Sequence, residues 1–148
     1  MVELSVGTLH FEGQIAIGKM RPEISIDESA AQEIYEACVQ HYRDEPYAYI
    51  SIRDNSYSVN PLIYINLSKK KNFSAMAVVT QSPLGISSVQ IERMFFKKPF
   101  KAFKNFTEAR DWALEMLIEE IKMVLKSTIF YFINCLLYTS PSPRDRQK

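Results

Sequence analysis

Residues Tyr47 to Arg53 read YAYISIR and run directly into DNSYSVNP, Asp54 to Pro61. The first stretch is β-branched and aromatic with no breaker, the composition of a central strand. The second is rich in Asn and Ser and ends in Pro, the composition of a loop. Pro61 suits the first turn of a helix, with Asn60 as its cap. A strand, a polar loop and a helix start in this order are one unit of an α/β sheet. Leu62, Ile63, Ile65 and Leu67 follow and fit a helix, though the same four could equally form a strand. KKKN, Lys69 to Asn72, closes the segment with cations suited to a helix C-terminus.

Upstream, VGTLHFEGQIAIGKM (Val6 to Met20) alternates about Glu12-Gly13. Leu9 and Phe11 share one face before the turn, and Ile15 and Ile17 share one after it, which predicts a β-hairpin. EISID, Glu23 to Asp27, is a short extended continuation, and Pro22 interrupts the strand or marks its edge. Asp27 is a good N-cap. Ala31, Ile34, Tyr35, Cys38 and Tyr42 then recur at helical spacing, and the helix should end between Arg43 and Pro46.

Downstream, FSAMAVVTQ (Phe73 to Gln81) is a second buried strand. Ser82-Pro83 starts a helix whose stripe is Val89, Met94 and Phe95. FKAF, Phe100 to Phe103, is a short last strand. Thr107 caps the final helix, with Glu108 and Asp111 near its positive end. Ala109, Trp112, Ala113, Met116 and Leu117 line its inner face, and the pattern continues through Ile121 and Val124. TIFYFI (Thr128 to Ile133) is apolar but too short to span a bilayer. The order β-β-α-β-α-β-α-β-α predicts an α/β fold: a mixed sheet of about five strands, parallel in its later part, with about four helices.

The 148 residues fit one domain, and 47% hydrophobic with 24% charged residues is ordinary for a globular chain. The net charge of +1 gives no footprint for nucleic acid or an acidic membrane, so neither is expected as a partner. Cys38 and Cys135 are the two cysteines. They make no disulfide framework, and the start of the chain lacks a signal-peptide pattern, so the expected location is cytoplasmic.

CLLYTSPSPRD, Cys135 to Asp145, follows the helical pattern abruptly. It resembles, residue for residue, one reading frame of a transposase-based sequencing adapter. The resemblance implies an adapter-derived tail over 135–148, an uncertain helix extension over 127–134 and a domain over 1–126. The basic end of the chain is therefore not read as a nucleic-acid arm.

No catalytic, cofactor or metal motif stands out. Gly7, Gly13, Gly18 and Gly85 are the glycines present, and none builds a phosphate loop with a following Lys. His41 lies three residues after Cys38, which fits a core cysteine beside a rim histidine better than a metal or catalytic pair. The aromatic, basic run MFFKKPFKAFKNF (Met94 to Phe106) fits core aromatics with solvated lysines better than a base-stacking surface. The candidate site is the loop after the central strand: Asn55, Ser56, Tyr57, Ser58, Asn60 and Pro61. Strand-to-helix loops of open α/β sheets favour ligands, and a helix start favours anions. Ordinary capping and turn chemistry explains the same residues.

YAYISIR running into the Ser-rich loop, FSAMAVVTQSP leading into VQIERMFF, and KPFKAFKNFTEARDWAL at the end together resemble the STAS domain. That is the fold of bacterial anti-sigma-factor antagonists. More closely, the chain resembles a STAS/CRAL-TRIO-like group of small bacterial proteins. The resemblance covers Leu9 to Leu117 and implies a non-enzymatic regulatory module that binds a protein partner, with a homodimer left open. In the antagonists an Asp-Ser-Ser-Gly at the start of the second helix carries a regulatory phosphoserine. Here Ser58-Val59-Asn60-Pro61 stands in that place, so Val59 or Asn60 occupies the serine position and Pro61 replaces the glycine. Phosphorylation would have to move to Ser56 or Ser58. Two alternatives remain: a small-ligand or lipid carrier of CRAL-TRIO kind, marked by an apolar cavity between sheet and helices, and an enzyme, marked by converging titratable groups with perturbed pKa.

Overall fold

The computed structural model describes residues 1–54 and 58–139. The chain divides into two units, Met1–Leu117 and Ile118–Lys148. In the first, β2 (Gly7–Glu12) and β3 (Ile15–Met20) form the expected hairpin, preceded by the two-residue β1 (Val2–Glu3). Glu12 pairs Ile15, so the turn is Gly13-Gln14 and not Glu12-Gly13. Gly13 takes φ 58°, which costs glycine nothing and other residues a steric penalty. β5 (Tyr47–Ile52), β7 (Phe73–Val79) and β8 (Phe100–Phe103) add in parallel, giving a sheet ordered β1-β2-β3-β5-β7-β8. It has one strand more than the sequence suggested, because β1 is too short to carry a pattern.

The two faces of the sheet bury different residues. On one, Leu9, Tyr47, Tyr49, Phe73 and Met76 pack with Ala31, Cys38 and Tyr42 of α1 (Glu28–Tyr42) and with Ile63 and Tyr64 of α2 (Ile63–Leu67). On the other, Ala48, Ile50, Ala75 and Ala77 meet Ala109, Ala113 and Leu117 of α4 (Phe106–Thr139). This face is paved with alanines, so the helix backbone can come close to the strands. Asp27 caps α1 as expected, accepting the Ala30 amide at 2.9 Å. The cap of α4 is two residues earlier than expected: Asn105 Oδ1 accepts the Glu108 amide at 2.9 Å, leaving Thr107 inside the helix.

α3 (Pro83–Arg93) begins at Ser82-Pro83 as expected, but its buried side chains are Val89 and Glu92. Met94, expected in the core, is 82% exposed, Phe95 is half-buried, and Phe96 takes the core position at 5%. The helix ends at Arg93, so the 3.6-residue period no longer governs the residues after it. DNSYSVNP is also not all loop. Ser58–Val59 forms β6, parallel to β4 (Ser25–Ile26), with Ser58 N donating to Ile24 O and Asn60 N to Ile26 O.

The second unit is described by itself. It is helical through Thr139, carries a surface Lys122–Glu119 pair at 3.8 Å, and exposes Ile121, Val124 and the run Ile129 to Ile133. The helix thus continues past residue 134 into the first residues of the adapter-like string. No helix among the described residues is long and apolar enough to cross a membrane.

Candidate partner-binding groove

At the C-terminal end of β5 the chain leaves the sheet with Arg53. Its amide donates to Val79 O of the neighbouring strand at 2.9 Å, and its side chain turns inward. Nη1 and Nη2 donate to the two carboxylate oxygens of Glu92 on α3 at 2.5 and 2.6 Å. The two side chains are 9% and 2% exposed. Two-point geometry of this kind is the strongest form of the pair, and it is what makes so buried a charge tolerable. The Tyr64 hydroxyl of α2 donates to Glu92 Oε1 at 2.5 Å, and the Ser88 hydroxyl donates to Oε2 at 3.2 Å. One buried carboxylate thus joins β5, α2 and α3.

Above this network lies an open groove of about 670 Å³. Its rim is Ser25 and Ser58 on the β4–β6 pair, Asp54 after β5, and Thr80, Ser82, Leu84 and Ser88 at the start of α3. Gly85 lets α3 approach β7: a Cβ there would stand 2.2 Å from Thr80 Oγ1. Asp54 pairs with Lys19 at 3.2 Å on the surface. Leu84 is 82% exposed beside these hydroxyls, an apolar contact point on a polar rim.

Of the residues singled out from sequence, Ser58 lines the groove and is exposed. Asn60 Oδ1 accepts the Leu62 amide at 3.1 Å in the turn that precedes α2, whose own N-cap is Leu62 with no side-chain cap. Asn60 is therefore not the helix cap, and Pro61 lies before the first turn rather than in it. Pro61 is half-buried behind it, and Asn55, Ser56 and Tyr57 lie outside the described residues. α2 has only five residues, and the helix start that opens on the groove is that of α3. Arg53 and Glu92 were not singled out. Arg53 closes an apolar strand and Glu92 sits in a mixed helix, and no local pattern announces that the two meet across 39 residues.

Cys38 and His41 lie away from the groove. Cys38 is 1% exposed, and burial pushes its thiol up to about 12, an inert rather than a nucleophilic sulfur. Burial also raises Tyr42 and Tyr47 in the same region. His41 stacks on Phe11 with ring centroids 3.9 Å apart. No group of three or more His, Cys, Asp or Glu that could hold a metal occurs among the described residues. Between α1, α2 and the sheet is an apolar cavity of about 50 Å³, lined by Cys38, Tyr47, Met76 and neighbours.

No family model matches the chain, and no curated protein matches it. Among solved structures it is similar to an uncharacterized DUF3478-family protein with a SpoIIAA-like fold from Shewanella loihica PV-4. The TM-score is 0.52 at 14% identity, over 76% of this chain and 98% of that one. The fold of this chain is accordingly SpoIIAA-like, the STAS-type α/β arrangement that the sequence pattern implied.

Proposed function

We propose that this chain is a non-enzymatic regulatory module that binds a protein partner in the groove between β6 and the start of α3. The observation that carries the reading is Leu84, 82% exposed on the rim of a 670 Å³ groove whose lining also includes the hydroxyls of Ser25, Ser58, Thr80, Ser82 and Ser88, the carboxylates Glu23 and Asp54, and the apolar Ile24 and Val59. An anchoring apolar side chain among satisfiable polar groups suits recognition more than bond chemistry. The perturbed groups Cys38, Tyr42 and Tyr47 are held neutral in the core, away from the groove, which favours binding over catalysis. The module works in a reducing bacterial cytoplasm and uses no cofactor. Phosphate on the exposed Ser58 would put charge on the rim beside Asp54 and repel an acidic partner group.

The carrier alternative fits less well. A small-molecule site needs roughly 300 Å³ or more, against the 50 Å³ between the helices and the sheet.

The test is a photo-crosslinking residue placed at position 84 of the full chain, with position 101 on β8 as control, in bacterial lysate. A discrete adduct at 84 alone, competed by unlabelled wild type but not by Leu84→Glu, supports the reading. Equal labelling at both positions, or competition by Leu84→Glu, overturns it.

A further inference from the structure

The net charge of +1 is a sum of two opposed parts. Residues 1–54 hold ten Asp and Glu against four Lys and Arg. Residues 55–107 hold eight Lys and Arg against one acidic residue, Glu92, and that carboxylate is buried and paired with Arg53. Six of these eight cations lie before the starts of β7 and β8 or at the end of α3, at the end of the sheet away from the groove; Lys101 and Lys104 lie on and after β8. The Lys97 amide donates to Ser68 Oγ at 3.0 Å, and Lys98 Nζ donates to the carbonyls of Lys70 and Phe73. These contacts bring Lys69, Lys70 and Lys71, after α2, beside Lys97 and Lys98, which follow the last residue of α3, Arg93. Lys70 is further fixed over the Tyr35 ring, 4.8 Å from its centroid. Lys69, Lys71, Arg93 and Lys97 are exposed, and Ile91 and Met94 stand exposed at 55% and 82% on the same end of α3. Asp44 and Glu45 follow Arg43, whose carbonyl accepts from Asn72 next to the Lys69–Lys71 run, and Glu36 follows the Tyr35 that lies under Lys70.

We propose that this face docks an acidic, partly apolar segment of a protein partner. Charge complementarity selects an anionic occupant, and the apolar pair Ile91 and Met94 selects one with side chains to bury. The aromatic rings decide between protein and the other anionic surfaces. Interfacial membrane binders and base-stacking proteins present exposed aromatics. Here Phe96 and Phe100 are buried, Phe95 and Phe103 are half-buried, and among the described residues of the Met1–Leu117 unit no aromatic is a large exposed apolar side chain. The run Met94 to Phe106 thus turns its rings into the core and leaves its lysines outside. The surface is separate from the groove and does not depend on it.

The experiment is fluorescence anisotropy of the full chain with a labelled amphipathic peptide of glutamate and leucine. Its lysine-for-glutamate counterpart, phosphatidylserine–phosphatidylcholine vesicles and a mixed-sequence DNA duplex are run in parallel. The acidic peptide should bind, weaken with added salt, and lose roughly tenfold or more in affinity in the Lys69→Glu, Lys71→Glu, Lys97→Glu triple variant. Leu84→Glu should leave it unchanged, and circular dichroism should show the triple variant folded. Equal binding of both peptides, an unaltered affinity in the folded triple variant, or binding of vesicles or DNA in preference to the acidic peptide overturns the proposal. Should the triple variant not fold, Met94→Glu on its solvated surface replaces it, with the same expected loss.

Discussion

Arg53 and Glu92 meet in a two-point contact at 2.5 and 2.6 Å beneath the groove, with only 9% and 2% of their side chains exposed. Removing one partner strands the other charge in the interior. Glu92→Ala should therefore cost about 3–5 kcal/mol in urea denaturation. The double variant Arg53→Met, Glu92→Leu should recover most of it, since an apolar pair of similar volume needs no desolvation. A single variant within about 1 kcal/mol of wild type would show that the pair is not buried as described.

Gly85→Ala should destabilise by about 1–3 kcal/mol, because its methyl meets Thr80 Oγ1 at 2.2 Å. The obstructing atoms belong to a side chain, so Thr80→Ala in the same chain should restore much of the loss. Equal melting temperatures for the single and double variants would place the strain elsewhere.

The Cys38 thiol, ordinarily near 9.0, is pushed by burial up to about 12. A raised folded-state value favours the folded state below the unfolded value and loses that advantage as pH rises through the folded one. Stability should fall as pH climbs from 9 towards 12, more shallowly in Cys38→Ala. Chemical denaturation across that range reads the slope. Tyr42 and Tyr47 are raised in the same direction, so some slope should remain.

Glu33 accepts from the Ser5 hydroxyl at 2.5 Å and from the Ser5 amide at 2.6 Å, and these bonds hold its carboxyl below the ordinary 4.5. A depressed value means the tether is intact above that pH and is lost as pH falls through the folded value. The Ser5 amide proton shift should titrate with a midpoint below 4.5 and stop titrating in Glu33→Gln. A midpoint at or above 4.5 would refute the contact.

Deleting residues 135–148 should leave the melting temperature nearly unchanged, as the adapter resemblance of Cys135 to Asp145 implies. A large drop in differential scanning calorimetry would mean that this string contributes to the folded chain.

The elements that could be read from sequence were those with a local cause. YAYISI and FSAMAVV are strands because their residues suit burial between two layers, and Asp27 announces its helix by a side-chain cap and Pro83 by its fit to the first helical position. Met94 and Phe96 exchanged roles because a periodic stripe was extended past the helix end. β6 escaped notice because its partner β4 lies more than thirty residues earlier, and a two-residue ladder leaves no pattern. The groove was legible only at Ser58. Its floor depends on the pairing of Arg53 with Glu92, a relation between distant positions that no single stretch of sequence encodes.

The chain has one tryptophan, Trp112, on the inner face of α4, with its ring 5.5 Å from that of Phe103 on β8. Its emission therefore watches the seating of α4 on the alanine-paved face. Trp112 does not line the groove. Intrinsic fluorescence will serve as a gauge of unfolding in this protein, while occupancy of the groove calls for a dye introduced on its rim.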